Sequence, residues 1–460
     1  MALFQNNLLM GAASQSGSSG YSIDQSIRFN PSDSAYMSRT QDTAASKQKF
    51  TFSWWMKLGV VDDEMVVISG GASSRWLLRF NTAQQLTFRL TNGTTEKTMT
   101  TTMKFRDNSA WYHCVWTADC TNDISSDYSR FFVNGERVAM TGTQPSADTD
   151  FAGYGDATTA AIGCLAHSLG TGDFNGYLAE MVLIDNQALT PSSFGELSDD
   201  GIWRPKDVSG LTFSTNGFWV DGRDSGDLGD DESGNGNDWS TSGLATHDQF
   251  LDSPTNNFCT MNPLANRLIT YKNGNMESNA TSQTTAHKTV KSTLGIPPSA
   301  TGKYYFEWQV PSSTASGDVD IIGFCDLEDG TNTESSTVNS GRGYGIGYKI
   351  GTGSVYAGTG WTANSFTFGG FVASNYYGFA YDASTGKLYI YQNGSALNSG
   401  AHVATFDKSS TIAPGYSQYN NTSTYNFFNG AQTSLTNSNF NYAPPTGYVP
   451  INTANIGDEF

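Results

Sequence analysis

Seven acidic side chains, Asp221, Asp224, Asp227, Asp230, Asp231, Glu232 and Asp238, fall within one short stretch and form the densest set of hard oxygen donors in the chain. Calcium takes six to eight such oxygens and tolerates irregular loops, but this spacing fits no EF-hand loop. The same Asp, Asn and Gly residues build Asx-turns without any metal. We prefer the turn reading, so no cofactor is expected and calcium stays as the alternative. A second use of carboxylates is glycan hydrolysis, which needs two of them roughly 5 to 10 Å apart. Glu180 and Asp185 are the nearest such pair on a strand-like run, and strand alternation sends them to opposite faces. His113 lies beside Cys114 in another strand-like run, with no nucleophile-elbow serine and no histidine at metal spacing, which makes it structural. No catalytic residue and no metal ligand set is therefore expected, and the chain is not read as an enzyme. Aromatic rings are the remaining chemistry, because they stack on the C–H faces of sugars. Tyr356, Trp361, Tyr416 and Tyr419 fall in predicted loops and are the candidate ligand-binding residues. Trp54, Trp55, Trp76 and Trp111 fall in strand runs and are expected in the core.

These residues must be positioned by many short strands. From Tyr21 to about Asp200, apolar and polar residues alternate through Phe50 to Leu58, Trp76 to Phe80, Leu86 to Leu90, Trp111 to Thr117, Arg130 to Val133 and Tyr177 to Ile184. Asn92-Gly93 and Asn134-Gly135 suit type I′ hairpin turns, whose two central residues both take positive φ. Such spacing predicts an antiparallel sandwich over 21–200. Thr190-Pro191-Ser192-Ser193 reads as the start of one short helix, with Thr190 as N-cap and Pro191 at the first helical position. Residues 201–298 are polar, rich in Asp and Gly, and read as a connector. Strands resume at Tyr304 to Val310, Ile321 to Cys325, Gly343 to Ile350, Tyr376 to Tyr381, Lys387 to Tyr391 and Tyr425 to Phe428, which predicts a second sandwich over 299–432 and a tail over 433–460. Residues 1–20 form a Gly/Ser/Ala-rich arm. The glycines of Arg342 to Tyr348 share one face of a strand, where another backbone can approach closely, and are no dinucleotide fingerprint.

Bulk properties narrow the partners. A chain of 460 residues supports two or three domains with proper cores. Charged residues make up 15% against about 25% in ordinary domains, which suits strands joined by polar turns. The net charge of −18 argues against the phosphate backbone of nucleic acids and against anionic membrane surfaces. The five cysteines, Cys114, Cys120, Cys164, Cys259 and Cys325, are scattered singly, so reduced, mostly buried thiols are expected. No run approaches the roughly 18 apolar residues of a membrane span. The first residues, with no Lys or Arg before Arg28, make a poor secretory signal. Synthesis in a cytoplasm and a soluble product follow as expectations, and the Asn279-Ala280-Thr281 sequon is read as chance.

Ordered motifs add a resemblance. Phe50 to Lys57, Trp111-Tyr112-His113 with Asp119, Phe132-Val133-Asn134-Gly135, and Phe174 to Glu180 with Ala188-Leu189-Thr190 resemble the laminin G-like members of the concanavalin A-like superfamily. Lys303 to Trp308, Ile322 to Cys325, Gly378 to Asp382 and Tyr389 to Gly394 resemble a SPRY domain. The E-x-D-x-x-E strand of the superfamily's laminarinase-like branch does not occur, which leaves glycan depolymerisation as the weakest reading. Gly217 to Val220, Asp231 to Trp239, Asp252 to Phe258 and Phe440 to Tyr448 are similar to segments of structural proteins of tailed bacteriophages. This resemblance implies an all-β chain of two sandwiches in a phage virion, made in the host cytoplasm. It implies a tail fibre or surface fibre that recognises a host-surface glycan or protein. The arm would dock on other virion proteins, and the assembly would be a homo-oligomer, with a trimer expected because fibres commonly are. The alternative is a capsid decoration or adaptor protein that binds only other virion proteins.

Overall fold

In a computed structural model of the chain, the residues described are 20–60, 64–73, 76–199, 201–265, 268–280, 287–310, 321–327, 344–349, 354–357, 361–363, 372–419, 422–435 and 439–457. They divide at Thr255/Asn256 into two units, each built from antiparallel sheets.

The first unit has two sheets. One runs Glu136–Val138, Ser129–Val133, Tyr112–Asp119, Lys49–Leu58, Gly176–Asp185, Ser26–Phe29, Gln249–Phe250. The other runs Met140–Gly142, Glu96–Thr101, Leu86–Thr91, Trp76–Phe80, Val66–Gly70, Thr159–Ile162, Tyr36–Thr40, Ser240–Ser242. Between them lies an aromatic core in which Phe50 meets Trp76 at 5.7 Å and Trp116 at 4.9 Å. Gly176–Asp185 is buried along its whole length, because a second cluster, with Val182, Ile184, Phe194, Val208, Phe213 and Trp219, covers its other face. That double burial is why the segment reads as a nearly continuous apolar run. The expected burial of Trp54, Trp55, Trp76 and Trp111 is observed. Asn134 and Gly135 both take positive φ and turn Ser129–Val133 into Glu136–Val138, as expected. At Asn92-Gly93 only Gly93 does so. Asn92 instead accepts the backbone N–H groups of Thr94 and Thr95 with its side-chain oxygen, which corrects the type I′ expectation. The helix expected after Thr190 is a single 3-10 turn, Pro191–Ser193, and the Thr190 hydroxyl bonds Ser192 Oγ rather than capping a backbone N–H.

The connector expected over 201–298 does not exist as a separate piece. Phe218–Val220, Ser240–Ser242 and Gln249–Phe250 complete the first unit's sheets, whereas Ile269–Lys272, Glu277–Ala280 and His287–Lys291 belong to the second. Polar composition hid this, because the returning segment is fastened by charge. Arg28 Nη2 meets Asp248 Oδ1 at 2.7 Å and Lys57 Nζ meets Asp252 Oδ2 at 2.7 Å, all four side chains being at most 5% exposed. Arg39 donates to the carbonyl and side-chain oxygens of Asn216 while lying over the Phe218 and Trp239 rings.

In the second unit, a sheet running Ile269–Lys272, Glu277–Ala280, Thr424–Phe428, Lys303–Gln309, Tyr376–Asp382, Lys387–Gln392, Ala404–Phe406, Trp361–Ala363 accompanies another running His287–Lys291, Ile412–Tyr419, Ile321–Asp326, Tyr344–Lys349, Ser354–Ala357. Phe306 stacks on Phe379 at 5.3 Å and meets Phe324 edge-on at 4.9 Å. Where the expected tail over 433–460 is described, at 433–435 and 439–457, it is instead a fixed strap. Tyr305 N–H donates to the Val449 carbonyl, Asn429 and Ile451 exchange two bonds, and Asn452 caps the short helix Thr453–Ile456.

Candidate recognition surfaces

Alternation along Lys303–Gln309 sends Tyr304, Phe306 and Trp308 inward and Tyr305, Glu307 and Gln309 to the sheet's other face. Glu307 is fully buried there. Its carboxylate accepts Tyr305 O–H at 2.9 Å, Asn441 N–H at 3.0 Å, Asn441 Nδ2 at 3.1 Å and Tyr442 N–H at 3.1 Å. Burial raises its pKa, and these four donors offset part of that rise by stabilising the anion. The bonds pin the strap across the sheet, and Phe440 closes on Tyr305 edge-on at 5.0 Å. Gly378 has no side chain in the space that the Tyr305 ring occupies.

Around this anchor stand five half-buried tyrosines, Tyr376, Tyr389, Tyr391, Tyr442 and Tyr448. Tyr376 lies 5.6 Å from Phe428 and 5.8 Å from Tyr442, and Tyr391 lies 6.4 Å from Tyr305. Burial raises the hydroxyl pKa of Tyr376, Tyr391 and Tyr448, so these phenols remain neutral donors at physiological pH. Amides line the same region: Asn426 Nδ2 donates to Gln309 Oε1 at 2.9 Å, and Tyr376 N–H donates to Asn393 Oδ1 at 3.0 Å. The face therefore offers ring surfaces for apolar contact beside neutral hydrogen-bonding groups.

The sequence-predicted aromatics stand elsewhere. All four lie on strands rather than loops: Tyr356 on Ser354–Ala357, Trp361 on Trp361–Ala363, and Tyr416 and Tyr419 on Ile412–Tyr419. The side chains of Tyr356, Trp361 and Tyr419 lie outside the described residues. Tyr416 is a core residue, 1% exposed, stacked on Tyr425 at 4.4 Å with its hydroxyl 2.8 Å from Ser278 Oγ. Its expected role as a surface ligand residue is corrected: an outer ligand cannot reach the ring. The tyrosine face was missed, although the Leu388-Tyr389-Ile390-Tyr391 alternation carried its signal.

In the first unit the acidic stretch is occupied by its own backbone. Asp231 accepts Trp219 N–H and Asn237 N–H, both at 2.8 Å, and both the N–H and hydroxyl of Ser233. Asp224 and Asp227 accept the N–H groups of Gly226 and Gly229, and Asp238 accepts Asp231 N–H. These are turn-forming bonds. Among the described residues no grouping of three or more His, Cys, Asp or Glu side chains could hold a metal ion. The five cysteines are buried.

His113 is 1% exposed between Trp55 and Trp203. Trp203 Nε1–H donates to Nδ1 at 2.9 Å, so the neutral ring carries its proton on Nε2 and donates it to Ser53 Oγ, also at 2.9 Å. A ring in that tautomer cannot take the serine proton, and burial pushes its pKa down to about 3. Glu180 and Asp185 have separate surroundings: Asp185 accepts the hydroxyl of Tyr154, a ring of the main core, whereas Glu180 accepts Tyr21 O–H. The register slips between Ala179 and Val182, where Glu180 takes φ +48°.

Residues 31–193 match the laminin G type of the concanavalin A-like lectin/glucanases superfamily. No curated protein matches the chain. Among solved structures it is similar to the SPRY domain of human HERC1, at 11% identity and TM-score 0.29, covering 38% of this chain and 99% of that one. It is also similar to a heptameric SAP-like pentraxin from Limulus polyphemus, at 14% identity and TM-score 0.31, covering 48% and 96%. A third similarity is to domains LG4-5 of the mouse laminin alpha1 chain, at 10% identity and TM-score 0.30, covering 95% and 99%. Residues 31–193 thus resemble a laminin G-like domain of that superfamily, within a nearly all-β chain of antiparallel sheets.

Proposed function

We propose that this is a non-catalytic recognition protein whose second unit takes a host-surface glycan on the face carrying Tyr376, Tyr389, Tyr391, Tyr442 and Tyr448. The observation that carries this reading is the Glu307 anchor, which holds a strap of aromatic residues against a sheet through four hydrogen bonds to one buried carboxylate. Rings held this way lose little side-chain entropy on binding, which favours affinity. The superfamily matched by residues 31–193 holds lectins and glucanases alike, so the choice of binding over hydrolysis rests on the residues themselves. The neutral His113 and the separately bonded Glu180 and Asp185 agree with it. Tyr356, Trp361 and Tyr419 stay in the proposal as further candidates.

We place the protein in the virion of a tailed phage, as a homo-oligomeric tail or surface fibre, on the resemblance of residues 217–258 and 440–448 to phage structural proteins. No nucleic acid, membrane insertion or metal forms part of the proposal. The test is a glycan array with the full chain, followed by calorimetry of the best ligand against Tyr376→Ala, Tyr391→Ala and Trp361→Ala. Loss of about tenfold or more in affinity for the first two, one strong contact's worth, supports the tyrosine face. Unchanged affinity refutes it. Absence of any glycan or host-protein binding favours a decoration or adaptor protein, and release of reducing ends would make it a depolymerase. Immunogold labelling of particles with antibody to residues 296–430 tests the virion assignment, which fails if no label appears.

A further inference from the structure

Along one side of Gly176–Asp185 the Lys49–Leu58 strand pairs for the whole length, but the other side is shared by two short strands placed end to end. Ser26–Phe29 pairs with Gly176 to Leu178, and Phe218–Val220 pairs with Met181 to Leu183. Glu180 sits at the joint between them, on the bulge, in the left-handed backbone region that a non-glycine residue rarely takes. Its carboxyl is 5% exposed and accepts Tyr21 O–H at 2.8 Å. Arg223 Nη2 reaches the same hydroxyl at 3.4 Å, pairs through Nε with Asp221 Oδ2 at 2.9 Å, and lies over the Trp219 ring. The titratable and charged groups facing Glu180 are thus Tyr21 from the N-terminal segment and Asp221 and Arg223 from the segment after Phe218–Val220. Glu232 faces Asp221 and Arg223 in turn. The Lys49–Leu58 strand passes with Trp54 and Trp55, which bring no charge.

We propose that this joint is a proton-operated latch: protonation of Glu180 fastens the Phe218–Val220 strand to the sandwich, and ionisation loosens it. A carboxylate in the joint loses most of its hydration and faces Asp221, with a single guanidinium shared between them. The neutral acid escapes both penalties and still bonds Tyr21. Burial, with Asp221 assisting, raises the Glu180 pKa from 4.5 to about 7, so the latch would work across neutrality. Because the folded pKa lies above the open-state value, closure is favoured as pH falls towards 4.5 and weakened as pH rises through 7.

Hydrogen exchange on the full chain tests the latch. After correction for the intrinsic rate, protection at Phe218–Val220 and Met181–Leu183 should fall about thirty-fold between about pH 5.5 and about pH 8, the ratio that pKa values of 4.5 open and about 7 closed require. Glu180→Gln should stay protected at both pH values. Tyr21→Phe, which removes a hydrogen bond that lowers the Glu180 pKa, should shift the transition to higher pH. Protection that is independent of pH in the natural chain, or equally pH-dependent in Glu180→Gln, would overturn the proposal. Should Glu180→Gln fail to fold, an unshifted transition in Tyr21→Phe overturns it as well.

Discussion

The buried Lys57–Asp252 pair allows a quantitative test of how the first unit holds together. Both side chains are 1% exposed, Nζ meets Oδ2 at 2.7 Å, and Oδ1 accepts the Trp111 indole N–H at 3.0 Å. Asp252→Asn keeps an oxygen for the indole and removes the charge, so it isolates the ion pair. An ammonium group left in that site without its counter-charge costs about 3–5 kcal/mol. For a unit of this size each kcal/mol lowers the Tm by about 2–4 °C, so a fall of roughly 6–20 °C is expected. Lys57→Met/Asp252→Asn removes both charges and should recover most of that loss, because similar-volume apolar replacements of buried pairs are close to neutral. Differential scanning calorimetry of the full chain gives the Tm, and hydrogen exchange at Gln249 and Phe250 ties the loss to the returning segment. A single-variant loss below about 1 kcal/mol, the range of exposed pairs, would refute the argument, as would a double variant no better than the single one.

Three further expectations follow from other sites. Glu307→Ala leaves the Tyr305 hydroxyl and the Asn441 and Tyr442 N–H groups without their acceptor, so the second unit should lose about 1–3 kcal/mol in a urea titration, with exchange rising first at residues 440–442. His113, with its pKa held near 3 when folded against about 6.5 when unfolded, lets only the unfolded chain take a proton between those values. Stability should therefore fall by about 1.4 kcal/mol per pH unit below about 6.5, a slope that calorimetry should find missing in His113→Gln. Since backbone N–H groups already occupy the carboxylates of Asp224, Asp227 and Asp231, millimolar calcium or its chelation should leave the Tm unchanged, and a rise of several degrees with calcium would reinstate the cation reading.

What the sequence disclosed was local. Asn134-Gly135 announced its hairpin because two positive φ angles in succession admit few other residues, and Trp54, Trp76 and Trp111 announced a core because their flanking residues alternate. Long-range partnerships left no such mark: Arg28 and Asp248 are 220 positions apart, and nothing near either residue signals the other. Tyr416 lies on the strand Ile412–Tyr419, which Pro414 and Gly415 make hard to see as one. The structure explains Gly415 by the Cys325 thiol, which fills the space that a Cβ would need. The recognition face was half legible, since Tyr389 and Tyr391 alternate with buried Leu388 and Ile390. Its other half comes from the C-terminal strap, whose docking depends on Glu307, a residue that looks like an ordinary exposed strand carboxylate until the fold covers it.

The placement of the returning segment also bears on synthesis. Arg28, Arg39 and Lys57 leave the ribosome early, whereas their partners Asp248, Asn216 and Asp252 follow 220, 177 and 195 residues later. At about 5–20 residues per second that delay is roughly 10–40 s, during which the three cations have no reason to leave water and the Ser26–Phe29 edge stays unpaired. A nascent chain in that interval can collapse but cannot finish, and it presents an open strand edge of the kind that invites pairing with another chain. The same consideration governs any expression fragment cut at the end of the family match at residue 193. Such a fragment would lose Phe218, Val220, Leu228 and Trp239 from the main core, together with the counterparts that let its three buried cations stay inside, so a usable boundary lies after Thr255.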